Sequence, residues 1–371
     1  MKKMGFVGIL ILVFTISSCT NTDEIRIGVI SPFSGDGAVY GESLKRGVSV
    51  ALEEIAVKHP ELGNRIKLIY EDDQLNSTYA ANAINKLIKI DKVQVIIGAF
   101  TSNTTLAIAP IAEKNKVVLI TPTATNYKIR NAGDYIFRVC PSDDQQGEIL
   151  AKYAIDNLSA KTASILYMNT DYGFGLKEAF SEIFTDLGGS IILEDGFEQN
   201  ETDFRTVATK IKSANPDVLF MPSNWQEATN AVNQIHAIGY TPQIICTDGT
   251  FEPKFIELTN GNSEGIILST MAWGVGESKK LAEVFKNQYK NKYNEDPGSY
   301  AALCYDAMKV VGKVLEGGAR SSDEVREALY DLDYLGATGH NKFDSSGEVN
   351  KSFDLYVISH NKFTLIEDPT E

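Results

Sequence analysis

The chain has 371 residues with 43% hydrophobic content, enough for ordinary globular interiors and more than one core usually spans, so two domains are expected. Its 35 basic residues against 49 acidic ones leave a formal charge of -14, which argues against nucleic acid or an anionic membrane surface as a partner.

The first residues read as an export signal and not as fold. Lys2 and Lys3 precede an apolar run over residues 5–16 that is too short for a bilayer span. The run ends in ISSC, which resembles the lipobox of bacterial lipoproteins; the resemblance implies a leader over residues 1–18, lipidation of Cys19 and a short linker over 19–23. No later segment has the length and apolarity to cross a membrane.

Strand and helix patterns then alternate. Residues 25–30 read as a strand, and 41–58 as a helix with Leu44, Val48, Leu52 and Ile55 at helical spacing. A strand at 65–70 precedes a helix over about 78–90, with Ile84, Leu87 and Ile88 on one face. The β-branched run at 93–98 predicts a buried strand, and Ser102 or Asn103 is placed to cap a helix running to Asn115, with Pro110 kinking it or sitting where its missing donor is tolerated. A strand at 117–122 follows. The second series runs helix 143–158, strand 163–168, helix 174–187, strand 190–196, helix 204–213, strand 217–222, helix 225–238, and strands at 243–248 and 265–270. Helices at 277–293, 299–316 and 322–332 lead to terminal β segments at 353–359 and 362–367. Alternation of this kind predicts parallel sheets covered on both faces.

In open parallel sheets ligands collect outside the carboxyl ends of the strands. Polar, aromatic-bearing stretches stand at those places: SPFSGDGAVYG, EDD, FTSNTT, TPTATN, NTDYGFG, SNWQEA and TDGT. Their repetition predicts one polar site with aromatic walls.

Catalytic and cofactor signals are weak. Gly35, Gly37 and Gly41 approach a dinucleotide fingerprint, but Glu71 comes too late to be its acidic partner, so a tight turn is expected and no cofactor. No G-x-S-x-G occurs, and no histidine falls in the strand-end loops. Asp72 and Asp73 are adjacent on an extended chain and so point to opposite faces. His59, His236, His340 and His360 are scattered without HExxH, and Cys140, Cys246 and Cys304 fit neither a disulfide framework nor a zinc motif; buried free thiols and no metal are expected.

Taken in order, the leader, IRIGVISPFSGDGAVYGESLKRGVSVALEEI, VIIGAFTSNTT, LITPTATN, YIFRVCPSDDQQG, TDYGFG and ICTDG resemble the leucine/isoleucine/valine-binding proteins, extracytoplasmic receptors that deliver solutes, mostly amino acids, to ATP-driven (ABC) importers. The resemblance implies an α/β type I periplasmic binding fold, two doubly wound parallel-sheet domains joined by three crossover strands. It implies a first lobe of residues 24–141 plus 272–345, a second of 142–271 plus 346–371, and crossovers near 139–142, 269–274 and 344–349. It implies no enzymatic activity, a monomer, an ABC permease as partner and a lipid anchor on the outer side of a bacterial membrane.

Site residues transfer motif by motif. Ser102 stands where the family uses a hydroxyl on the ligand carboxylate, with Thr101 and Phe100 beside it. Thr125 matches a threonine that binds carboxylate and ammonium, with Thr123 offering a carbonyl and Ala124 between them. Tyr172 matches an aromatic wall of the second lobe, Asp248 an acid for the ammonium, and Tyr40 an aromatic lid. Phe100, Asn224 and Trp225 fall in the region that meets the ligand side chain. The paired cysteines of some relatives are missing from EDDQLN and FTSN. The chemistry is coherent on its own terms: hydroxyls and a helix N-terminus suit a carboxylate, and an anion, Asp248, suits an ammonium. Competing readings are a sensor docking on a signalling receptor, a binder of amides, urea or aromatic acids, and an exported amidase or esterase.

Overall fold

A computed structural model describes residues 24–366. The leader, Cys19 and the linker over 19–23 lie outside the described residues. The first sheet holds β1 (Ile25–Ser31), β2 (Ile66–Asp72), β3 (Val95–Ile97), β4 (Val118–Thr121) and β5 (Ile136–Arg138), all parallel, in the order β2-β1-β3-β4-β5. The helices between them are α1 (Ala38–Lys58), the single turn α2 (Pro60–Gly63), α3 (Ser77–Lys86) and α4 (Ser102–Asn115).

The second sheet repeats the winding. Its parallel strands β6 (Thr162–Met168), β7 (Ser190–Phe197), β8 (Val218–Met221), β9 (Gln243–Cys246) and β10 (Ile267–Met271) stand in the order β7-β6-β8-β9-β10. They alternate with α5 (Asp143–Asp156), α6 (Asp171–Asp186), α7 (Arg205–Ala214), α8 (Trp225–Ala237) and α9 (Pro253–Leu258). The chain then returns with α10 (Lys279–Tyr293), α11 (Ser299–Glu316) and α12 (Ser322–Tyr330), and a hairpin of β11 (Asp333–Gly336) and β12 (Gly339–Lys342). Finally β13 (Phe353–Ser359) and β14 (Lys362–Leu365) join the free edge of the second sheet antiparallel, so that sheet is mixed and not wholly parallel.

Local chemistry explains the boundaries. The Asn76 side chain accepts from the amides of Thr78 and Tyr79 to start α3, and Thr170 accepts from Gly173 to start α6. The cap of α4 is Thr101, not Ser102 or Asn103 as the sequence suggested; Ser102 is already helical. α4 continues through the exposed Pro110 to Asn115. The helix expected to reach residue 90 changes at Leu87 to a wider turn, ended by the left-handed Lys92. β5 was not expected, being three residues long at a sheet edge.

Both faces of the first sheet are covered. One core gathers Ile27, Val29 and Ile97 with α1 and the almost wholly buried α11; the other gathers Ile30, Ile96 and Leu119 with α3 and α4. α1 and α11 approach so closely that a Cβ on Gly47 would stand 2.3 Å from the Ala301 carbonyl oxygen. A separate core, with Phe180 stacked on Phe220 at 4.1 Å, serves the second sheet.

Between the sheets the chain crosses after β5, after β10 and before β13. These segments are cross-braced: Arg138 donates to the carbonyls of Thr125 (2.7 Å) and Asn126 (3.0 Å) and pairs with Glu348, while Lys351 Nζ donates to the Val139 carbonyl at 2.7 Å.

Candidate ligand-binding site

In each sheet the strand order reverses direction beside its first strand, between β1 and β3 and between β6 and β8, and such switch points open crevices at the carboxyl ends. The two crevices face one another. Between them lies a partly enclosed cavity, about 510 Å³ of empty space when its open mouth is included. Six of the seven polar loops picked out from the sequence contribute to it directly, and Leu75, two residues past EDD, stands in for the seventh.

From the first half come Tyr40 at the start of α1, Leu75 after β2, Phe100, Thr101, Ser102 and Asn103 after β3, and Thr123 after β4. From the second come Met168 at the end of β6, Thr170 and Tyr172 after it, Gln199 after β7, Asn224 after β8, and Asp248 with Gly249 after β9. Tyr300, from the first turn of α11, closes the wall.

One side of the cavity is a helix start. The first N–H groups of a helix have no partner within it, and those of Ser102 and Asn103 belong to this set in α4. The Ser102 hydroxyl is 1% exposed and accepts from the Asn126 amide at 3.2 Å; the Thr123 hydroxyl donates to the Phe100 carbonyl at 2.6 Å. Partial positive charge and hydroxyls concentrated at one point favour an anionic group.

The other side is Asp248, 3% exposed at a short helical turn. Its Oδ1 accepts from the Tyr172 hydroxyl (2.7 Å) and Gln146 Nε2 (2.9 Å), and its Oδ2 from the Tyr300 hydroxyl (3.1 Å). Every one of these donors is neutral. Burial lifts the Asp248 carboxyl above its ordinary value, opposed by the bonds from Tyr172, Gln146 and Tyr300. A buried carboxylate without a cation is costly, and a cationic ligand group would relieve it.

Aromatic rings roof the space. Tyr40 stacks on Phe100 with centroids 5.1 Å apart, and Tyr300 stands edge-on to Phe100 at 5.2 Å. Two hydrogen bonds cross from this roof to the opposite half: Tyr40 to the Gly249 carbonyl (3.4 Å) and Tyr300 to the Asp248 carbonyl (2.9 Å). Three more sit at the rim, from Asn126 Nδ2 to the Asp171 carbonyl (2.6 Å), from Tyr127 to Glu178 (2.9 Å) and from Gln226 to the Asp36 carbonyl (2.9 Å).

Of the residues named from sequence, Tyr40, Phe100, Thr101, Ser102, Thr123, Tyr172 and Asp248 line the cavity together. Ala124, Thr125 and Trp225 do not. Thr125 is 1% exposed, and its carbonyl is taken by the Asp143 amide (2.9 Å) and Arg138. Ala124 bonds inward to Thr121 and Cys140, and Trp225 packs between the cores as the first residue of α8. Leu75, Asn103, Met168, Thr170, Gln199, Gly249 and Tyr300 were missed. Most sit within two residues of a strand-end motif and were findable by position; Tyr300 lies 52 residues beyond Asp248 and carries no local signal.

Cys140, Cys246 and Cys304 are buried free thiols. The expected turn is at Gly35–Gly37, with Gly35 left-handed, whereas Gly41 lies inside α1, where a Cβ would stand 2.3 Å from the Pro32 carbonyl oxygen. Among the described residues no His, Cys, Asp and Glu cluster could hold a metal, and no helix is long and apolar enough to cross a membrane.

The geometry has counterparts in known proteins. The Leu/Ile/Val-binding protein BraC3 of Rhizobium johnstonii is 28% identical over 351 residues, covering 93% of this chain and 94% of that protein. The leucine binding protein LivK of Thermotoga maritima superposes with a TM-score of 0.86 at 30% identity, covering 93% of this chain and 99% of that one. LivJ of Streptococcus pneumoniae, a branched-chain amino acid transporter substrate binding protein solved in complex with isoleucine, gives 0.84 at 28% identity over 92% and 99%. Residues 24–362 match the family described as periplasmic binding protein. With two facing switch-point crevices closed over one cavity, and that match spanning nearly all of the described chain, the protein belongs to the periplasmic binding protein family, whose members work outside the cytoplasm.

Proposed function

We propose that this protein captures a free amino acid with an uncharged side chain between its two lobes and hands it to an ABC importer, without turnover. The observation that carries the reading is Asp248, buried and surrounded by neutral donors, in the same cavity as the N-terminal turn of α4. A zwitterion answers both: its carboxylate meets the helix start and Ser102, and its ammonium replaces the missing cation beside Asp248. No other lining side chain among the described residues carries a formal charge, which favours a neutral ligand side chain. The isoleucine bound by LivJ is a ligand of this class.

In this reading residues 24–141 with 272–345 form one lobe and 142–271 with 346–366 of the described residues the other, turning about the braced crossovers. The closed form is favoured when one ligand bonds both halves. Thr125 acts behind Ser102 and not as a direct contact. Cys19 carries the acyl chain that keeps the folded body at the membrane surface.

The test is a thermal-shift screen of the purified mature protein against amino acids, amides and aromatic acids. A cognate ligand at 100 times its Kd adds about 2.7 kcal/mol of stability. A shift with carboxylic acids or amides that lack an ammonium, and none with amino acids, refutes the assignment; conversion of a candidate amide or ester refutes the absence of turnover.

A further inference from the structure

We infer that Leu75 is a specificity-determining residue of the cavity, the fixed aliphatic wall against which the ligand side chain packs. The inference rests on the amino-acid reading above.

Among the lining side chains of the described residues, three are wholly apolar: Leu75, Phe100 and Met168. The Phe100 ring is already engaged by Tyr40 and Tyr300. Met168 is unbranched and adaptable, and its sulfur lies 3.8 Å from Asn224 Nδ2. Leu75 differs from both in being a branched aliphatic side chain, carried on a loop whose backbone is pinned.

The pinning comes from several directions. Gln74 and Leu75 are both left-handed, with φ of 48° and 58°, a conformation that residues with a Cβ adopt only when their surroundings impose it. Asp72 Oδ1 accepts from the amides of Gln74 (3.1 Å) and Phe33 (2.8 Å), and Oδ2 from the Ser34 hydroxyl (2.5 Å). The buried Asp73 accepts from the Leu75 amide at 3.0 Å, and the Asn76 amide donates to the Asp73 carbonyl at 2.7 Å. The adjacent carboxylates thus hold the loop from opposite sides, a use for Asp72 and Asp73 that needs no reaction. The side chain itself lies over Gly37: a Cβ on that glycine would come within 2.9 Å of Leu75 Cγ. The same Cβ would come within 2.6 Å of Pro32 Cβ, so the turn before α1 keeps space for both Pro32 and Leu75, and a branched side chain at the cavity wall sets which ligand volumes fit.

The experiment compares Kd values by calorimetry for alanine, isoleucine, leucine and phenylalanine in wild type, Leu75→Ala and Leu75→Asn. Leu and Ala bear the same left-handed backbone, and Asn favours it, so both variants keep the loop. In Leu75→Ala the affinity for leucine or isoleucine falls about tenfold or more, alanine changes little, and phenylalanine gains relative to leucine. Leu75→Asn loses leucine and isoleucine without the gain for phenylalanine. An equal loss for every ligand, alanine included, makes Leu75 a scaffold and overturns the inference, as do unchanged affinities. If wild type binds no amino acid at all, the functional reading itself falls and takes this inference with it, an outcome visible before any variant is made.

Discussion

Replacing Asp248 by Asn tests the charge at the centre of the site while leaving its shape. Asn accepts through Oδ1 from Tyr172 and Gln146 as Asp does, and its amide faces the Tyr300 hydroxyl, which can turn from donor to acceptor. The fold should therefore persist. For the ligand, a buried charge-assisted contact to its ammonium is lost, and removing one partner of such a pair costs about 2–5 kcal/mol. That is a fall in affinity of roughly 30-fold to several thousandfold. For the empty protein the sign reverses: Asp248 is buried with no cation beside it, so the neutral amide relieves a desolvation cost and the thermal midpoint rises at pH 8. Calorimetry for Kd and a melt without ligand read the two effects separately. An affinity within about threefold of wild type, or a lower midpoint for the empty variant, would refute the reasoning.

Ligand affinity should weaken on acidification, because burial raises the Asp248 carboxyl above its ordinary 3.8 and an ammonium binds its ionised form; Kd rising toward low pH, with that dependence absent in Asp248→Asn, is the expected profile. Tyr300→Phe removes the hydroxyl that reaches both the Asp248 carbonyl (2.9 Å) and Oδ2 (3.1 Å) across the cavity, which should cost about 1.5–3 kcal/mol in calorimetric affinity. Gly47→Ala drives a methyl into the Ala301 carbonyl at 2.3 Å and should lower stability by about 1–3 kcal/mol in urea, leaving Kd unchanged in the protein that remains folded.

Much of this protein could be read along the chain. The alternation of β-branched runs with helical periodicities, from Ile27 through Ile267, named both sheets, because burial on both faces leaves a strand apolar throughout. Strand ends named the site, since chain connectivity alone puts those loops at one edge of each sheet. Asp248 and Ser102 came from motif position, and the lining of one cavity by both agrees with it. What sequence could not decide was the direction in which neighbouring side chains turn. Thr123 and Thr125 are two residues apart in TPTATN, yet Thr123 lines the cavity while the Thr125 carbonyl is taken by Arg138 and the Asp143 amide, a partition made by a guanidinium arriving from β5. Trp225 looked like a wall and is a packing residue between cores, while its neighbour Asn224 lines the cavity. Tyr300 belongs to the site because α11 is held against α1 by Gly47, a contact between segments some 250 residues apart. Periodicity and loop position are local properties and survive in one dimension. The pairing of Asp248 with Tyr300, and the wall made by Leu75, depend on which distant backbone arrives beside them, and packing in three dimensions settles that.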